Sequence, residues 1–427
     1  MATRGMAHTI SFPIKPFDSS NPDPFNCDLK DLIIQILNST INRDANPGFP
    51  LNSLANTNAQ LIDNSSNVIV GLVMYRLHCI LSTEPENFLN KDGRIHIARC
   101  LIDPIRLFIK QELHSEKKLK DKRYRLIWSV SIIDQVIDRL LFRDLISEEI
   151  DYWQCFDSKG GAGLSLDSQA TDLFNNIISK LGNNFITSDV SNWDWSFRGW
   201  MFISSFIKVM MQRGYGDNTI YHFVLAGLSD SSSKFQFMTL PPYVRACWAR
   251  IVLMSHPPIG LSNGQLLQHG SYGIMKSGWL KTLETNSFCR SLLNRLICNG
   301  RCTAMGDDSA ETTKLQPDEL ISRYQQLGIV LTDVTKVIAP YKQGIEFCSH
   351  QIYPSVAIPL NEIKILVKYL NSPLRNTIEQ WMQIKNDLRH SRNSKLLLKF
   401  ISSKWEVWAN EVNQESSKEN QENTSYS

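Results

Sequence analysis

The 427-residue chain is short of several features that would place it quickly. No apolar run approaches the ~20 residues that a bilayer span needs, and the best candidate, Met201 to Met211, is broken by Lys208. None of the nine cysteines falls in a Cys-x2-Cys pair, and Cys298 and Cys302 have no second pair with His near them, which argues against a zinc module. An odd cysteine count without a secretory leader suits reduced thiols in a cytosolic setting. Strong net charge is missing too. The balance is only +3, so a nucleic-acid partner would have to be held by local patches. There is no internal repeat. Gly160-Gly161-Ala162-Gly163 could cradle a phosphate but lacks the Lys-Ser/Thr of a P-loop. It reads better as a link to an amphipathic helix begun by Ser165 and stopped near Gly182, with Leu166, Ala170, Leu173, Ile177 and Leu181 on one face.

What is present is enough for a sizeable core. At 42% hydrophobic residues the chain can fold into two or three subdomains. Its ends differ from the middle. The stretch before about Asn26 is Pro- and Ser-rich, and residues from Asn410 onward are rich in Glu, Asn, Gln and Ser, the composition of a disordered tail. Gly260-Leu261-Ser262-Asn263-Gly264 fits the nucleophile elbow of serine hydrolases, yet that elbow needs a strand entering and a helix leaving. Pro257 and Pro258 interrupt the first, and Asn263-Gly264 reads as a hairpin turn.

The most informative segment is Cys302-Thr303-Ala304-Met305-Gly306-Asp307-Asp308-Ser309, a short strand running into a turn with two adjacent carboxylates. Crowded carboxylates repel unless a cation sits between them, and hard oxygen ligands suit magnesium. Upstream stands a second pair, Asp189 and Asp194, in Ser188-Asp189-Val190-Ser191-Asn192-Trp193-Asp194-Trp195, with Phe185 and Ile186 leading in as a strand. If that strand lies beside the hairpin, Asp189 and Asp307 can share two ions about 4 Å apart, the standard device for nucleotidyl transfer. Asp194 lies beyond the strand and could bond a sugar hydroxyl. Between these sites, Ser277-Gly278 reads as a flexible turn before a helix carrying Thr282 and Asn286 four residues apart on one face. Such a face is either polar helix surface or a reader of a ribose 2′-hydroxyl.

The ordered set Asp189-x4-Asp194, Ser277-Gly278-x3-Thr282-x3-Asn286 and Gly306-Asp307-Asp308 resembles motifs A, B and C of viral RNA-dependent RNA polymerases. The wording is most similar to the sobemovirus, polerovirus and barnavirus-like group, and the similarity runs from about Asn46 to about Tyr353. Reverse transcriptases resemble it less, because they lack the Thr-x3-Asn face. The resemblance implies that Asp189 and Asp307 are the principal ligands of two Mg2+ ions (Mn2+ could substitute), with Asp308 assisting. Asp194, Ser277, Thr282 and Asn286 would surround the ribose, and Gly278 would touch RNA. Lys110 to Arg125 carries a local balance of +4. On composition alone it is a solvated loop, but it looks like motif F, with Lys110, Lys118, Arg123 and above all Arg125 on the triphosphate. Lys336 stands in a segment resembling motif D and would be the general acid. Cys348 and Ser349, in a hairpin like motif E, would grip product RNA. Asn46-Pro47-Gly48, like motif G, would meet the template.

The implied architecture is α+β: a right-hand polymerase with closed fingers, a small thumb and an antiparallel palm sheet backed by helices. Its expected divisions are an extended segment at 1–25, fingers at 26–185, palm at 186–215, a fingers insertion at 216–270, palm again at 271–345, motif E and thumb at 346–409, and the tail at 410–427. After Glu346 the stretch is expected to be mostly helical. The implied activity is template-directed RNA synthesis replicating a positive-strand RNA virus genome, in replication complexes of the host cytoplasm. Its partners would be template and product RNA, ribonucleoside triphosphates and a protein primer. The alternatives are an inactive polymerase-like RNA-binding protein, a DNA-making polymerase and, last, a hydrolase built on Ser262.

Overall fold

A computed structural model describes residues 28–110, 116–122, 124–151, 170–215, 237–371 and 378–403. In chain order the main elements are α1 (Leu29–Ser39), α2 (Asn58–Ser82), β1 (Ile105–Ile109), β2 (Leu126–Ser129), α3 (Ile132–Asp151), α4 (Ala170–Leu181), β3 (Phe185–Val190), α5 (Gly199–Gln212), α6 (Pro242–Ser255), β4 (Ile259–Leu261), β5 (Leu266–Leu267) and α7 (Thr282–Cys298). There follow β6 (Cys302–Met305), β7 (Asp308–Glu311), α8 (Pro317–Gln326), β8 (Leu331–Val337), β9 (Ile345–Phe347), β10 (His350–Ile352), β11 (Ala357–Pro359), α9 (Glu362–Leu370) and α10 (Ile378–Asp387). They fall into two compact units. The first takes in residues up to Lys110, Arg123–Gly163 and Phe185–Lys336, and the second takes in Gln111–Lys122, Leu164–Asn184 and the chain from Val337.

The first unit holds two four-stranded sheets. One has the order β2-β1-β4-β5, with β1 antiparallel to β2 and parallel to β4. The other has the order β6-β7-β3-β8, in which β7 is antiparallel to both β6 and β3. Strand β3 is buried from Phe185 to Ser188 and again at Val190, so Asp189 is its one partly accessible residue. Helices α1, α2, α3, α5, α6 and α7 enclose the core. Helix α6 is buried on nearly every side, from Tyr243 to Ser255, as expected for a helix apolar all round.

That burial traps charge. Arg250 of α6 is fully buried and reaches both Asp138 (Nε, 2.6 Å) and Asp134 (3.0 Å) on α3. Arg76 of α2 grips Asp103 through two bonds of 2.7 and 2.8 Å and also meets Asp134 at 3.1 Å. Ser131 donates its hydroxyl to Asp103 at 2.6 Å and caps the start of α3. Among the described helices, α2 alone is long and apolar enough to cross a membrane. Its buried side packs Ile69, Val70, Val73 and Leu77 into the core, and Arg76 on that side is ion-paired, so α2 works as a core helix.

In the second unit, α4 buries Ala170, Leu173, Phe174, Ile177 and Leu181. It ends at Gly182, whose φ of +75° suits a helix-terminating glycine. Leu166 and Ser165 lie outside the described residues, as do the two chain ends. The stretch after Glu346 opens with the expected hairpin, to which a third strand is added before the helices. It first forms the antiparallel sheet β11-β10-β9, because Ile345, Phe347, Ile352 and Ala357 alternate inward and Cys348 and Ser349 both take positive φ (51° and 59°), closing a two-residue hairpin. Helices begin only at Glu362.

Replacing Arg250 by Met would strand the buried carboxylate of Asp138 and leave Asp134 with Arg76 alone, and should cost about 3–5 kcal/mol. Denaturant unfolding of the variant measures this, and a loss below about 1 kcal/mol would show that the network is dispensable.

Candidate active site

The two acidic segments meet as the sequence led us to expect. The β3–β7 ladder pairs Ile186 with Glu311, Thr187 with Ala310 and Ser188 with Ser309. Asp189 therefore follows at the open end of the ladder, beside the Gly306-Asp307 turn that joins β6 to β7. Gly306 has φ +70°, and a Cβ there would meet nothing closer than Leu283 at 3.8 Å, so backbone conformation rather than crowding calls for glycine. Alternation along β7 places Asp308 on the face opposite Ser309, the same side as Asp189. Asp307 is exposed, while Asp189 and Asp308 are half-buried.

The electrostatics record this closeness. Burial and then the neighbouring Asp307 carboxylate raise the pKa of Asp189, with a smaller push from Asp333. Burial, again followed by Asp307, lifts Asp194 to about 6. Opposing that lift are Arg125, a hydrogen bond from Asn286, and Lys276. Asp194 and Asn286 thus face each other, and Arg125 lies within electrostatic reach of Asp194. The Oδ1 of Asn286 is buried without a hydrogen-bond partner.

Helix α7 carries the other polar residues. The Thr282 hydroxyl turns back to the carbonyls of Lys276 (2.6 Å) and Trp279 (2.7 Å), fastening the preceding loop to the helix start. Ser277 and Gly278 are exposed in that loop. A Cβ on Gly278 would lie 1.9 Å from the Trp128 carbonyl, so only glycine allows the loop to pass β2 this closely. Glu284 is held between Lys208 of α5 and Lys281: burial pushes its carboxyl up, but the two ammonium groups override that and bring it to about 2.

Other predicted residues are spread more widely. Lys110 and Arg125 stand at the ends of β1 and β2, joined by Lys110 N donating to Arg125 O at 2.8 Å. Arg123 lies outside the described residues, and Lys118 belongs to a short helix, Glu116–Lys120, of the second unit. Lys336 is exposed on β8. Pro47 and Gly48 are buried, with the Pro47 carbonyl accepting from Ile132 N at 2.8 Å, while Asn46 folds back on Gly48 N. Cys348 and Ser349 form the β9–β10 turn of the second unit. Ser262 sits in the β4–β5 hairpin, whose strands pair antiparallel (Gly260 with Leu266), so no helix leaves it and the hydrolase elbow is ruled out.

Two participants escaped the sequence reading. Asp333, the carboxylate that acts on Asp189 from β8, lies in the very segment that supplied Lys336. Arg290 lies beneath the acidic turn and donates to the Asp307 carbonyl at 3.2 Å. Its signal was a lone Arg in an otherwise uncharged stretch of α7, from Thr285 to Asn294.

Residues 28–211 and 258–368 match the family described as viral RNA-directed RNA-polymerase. The chain belongs to that family. It is 34% identical over 361 residues to the replicase polyprotein P2AB of Southern cowpea mosaic virus, covering 83% of this chain and 34% of that protein. It is 30% identical over 352 residues to protein P1-P2 of Turnip yellows virus, covering 78% of this chain and 30% of that protein. These relatives fall in the sobemovirus and polerovirus group that the motifs resemble. The chain spans about a third of the length of the curated relatives it matches. In fold it is similar to a sicinivirus 3Dpol RNA-dependent RNA polymerase, with a TM-score of 0.56 at 13% identity over 95% of this chain and 84% of that one. The α+β right-hand class read from the sequence stands on that likeness and on the antiparallel sheets.

The donor set fits magnesium. Among the described residues no group of three or more His, Cys, Asp or Glu could hold a metal unaided. Magnesium asks for less, because it keeps waters and takes substrate phosphates beside one or two carboxylates. Asp189 and Asp307 offer two, and their mutual repulsion is what a divalent cation relieves.

In metal-free protein, 13C NMR of labelled Asp should find Asp194 titrating near pH 6. Asp307→Asn removes a nearby negative charge and should move that midpoint down. An unmoved midpoint would show that Asp307 does not reach Asp194.

Proposed function

We propose that this chain is an RNA-directed RNA polymerase that copies the genome of a positive-strand RNA virus by nucleotidyl transfer. The observation that carries the proposal is the meeting of Asp189 and Asp307 across β3 and β7 beside an Asp194–Asn286 pair. Asp189 and Asp307 would hold the divalent ions, with Asp308 assisting. When bound, magnesium supplies positive charge at the attacking and leaving oxygens.

The remaining steps fall to the chain's own groups. Arg125 binds triphosphate oxygens through its guanidinium fork, and Lys110 adds charge beside it. Asn286 gives its N–H to Asp194, and its Oδ1 is left as a buried acceptor suited to a ribose 2′-hydroxyl. A deoxyribose would leave that acceptor unpaired, which is the strongest form of discrimination a polar site has. Ser277 and Thr282 border the same sugar. Lys336 delivers a proton to the departing pyrophosphate. Base pairing with the template selects the base.

Asp307→Ala should abolish magnesium-dependent incorporation of labelled ribonucleotide on a primed RNA template while leaving the melting temperature close to that of the parent. Substantial residual synthesis would sink the assignment. Parent protein that binds RNA yet incorporates nothing with magnesium would mark an inactive RNA-binding relative instead.

A further inference from the structure

Lys276 stands immediately before Ser277-Gly278, takes no part in the chemistry above, and is 0% exposed. Its Nζ donates to three backbone carbonyls: Ile274 at 2.6 Å, Gly273 at 2.7 Å and Ser255 at 3.3 Å. An ammonium has three N–H donors and no acceptor, so only the protonated side chain can donate to all three carbonyls at once. The rings of Trp128 and Phe202 flank the nitrogen at 5.9 and 5.5 Å. Burial pushes the Lys276 pKa well below the usual lysine value; among the described residues no carboxylate pairs with it directly, and Asp194 opposes the shift from further off. A buried cation without an ion-pair partner is costly, and an apolar side chain of similar length would fill the same space.

The backbone shows what the charge holds in place. Gly273 N donates to Ser255 O at 2.9 Å, Ile274 N to Phe197 O at 2.9 Å, and Met275 N to the Asp194 carbonyl at 2.8 Å. The Lys276 carbonyl accepts from Trp279 N (2.9 Å) and from the Thr282 hydroxyl (2.6 Å). One side chain therefore ties the end of α6 to a loop whose backbone touches both Asp194 and the first turn of α7. We propose that Lys276 is a positioning residue for sugar recognition: its buried ammonium clamps the Gly273–Gly278 loop onto α6 and so sets the spacing between Asp194 and Asn286. This inference rests on the ribose reading given under Proposed function.

The test compares parent, Lys276→Met, Asn286→Ala and the double variant in single-nucleotide incorporation of ribo- and deoxyribonucleoside triphosphates, with kcat and KM separated. Lys276→Met should lower the ribonucleotide preference about tenfold, since misplacement on the ångström scale costs up to a hundredfold. It should change the preference no further when added to Asn286→Ala, because both act on one sugar contact. Should Lys276→Met not fold, Lys276→Gln keeps two of the three donors and should shift the preference in the same direction by less. Equal losses with both substrates, or an undiminished effect in the Asn286→Ala background, would overturn the role of Lys276 alone. An unchanged preference in Asn286→Ala would overturn the ribose reading itself.

Discussion

Arg290 is the point on which the acidic site turns. It lies wholly inside the protein on α7 and reaches three parts of the palm-like sheet at once. Its guanidinium donates to the hydroxyls of Ser188 on β3 (2.8 Å) and Ser309 on β7, and to the carbonyl of Asp307 in the turn. Glu311, 3.7 Å away, balances its charge and in turn accepts from Asn294 (2.7 Å) and Tyr324 (2.8 Å). A planar fork with five donors can hold three acceptors in fixed relation, which an ammonium on a flexible stem would do less rigidly. The helix that carries Asn286 is thereby locked to the strands that carry Asp189 and Asp307.

Much of this was legible in the sequence, for a physical reason. Carboxylates at the end of a strand or in a tight turn leave a local signature: an apolar run, then Asp, or Gly before a paired Asp. The β6–β7 hairpin, the β3 strand, the α7 face with Asn286 and the hairpin at Asn263-Gly264 were all readable because each is decided by neighbours within a few residues. Arg290, Lys276 and Asp333 were not, since what distinguishes them is who faces them across the fold. Nothing within α7 says that Ser188 and Ser309 lie opposite position 290. After Glu346 the hairpin at Cys348-Ser349 was expected, but the third strand, β11, was missed because it is three residues long, too short for alternation to outweigh the helical pattern that begins at Glu362.

The buried ions show how the molecule separates its structural charge from its working charge. Arg250 and Arg76 share Asp134, Asp138 and Asp103; Glu284 is flanked by Lys208 and Lys281; Arg290 answers Glu311. In each network opposite charges are in contact, so the low-dielectric interior strengthens the attraction that offsets their desolvation. Asp189 and Asp194 are treated differently. Burial raises both, Asp307 raises both further, and among the described residues neither has a cation in hydrogen-bond contact.

That contrast bears on why the site lies at a strand end rather than deeper in the sheet. One residue further in, at Ser188 and Ser309, the side chains are nearly inaccessible and are neutral hydroxyls committed to Arg290. A carboxylate there would be neutralised by the guanidinium and closed to ligands. One residue on along β3, Val190 is apolar and buried again, so Asp189 is the position of that strand open to a ligand, beside the exposed Asp307 of the turn. The backbone is fixed from below through Arg290, while the two carboxylates stay close, Asp189 half-buried and Asp307 exposed, with burial and mutual repulsion outweighing the pull of Arg290 on Asp189.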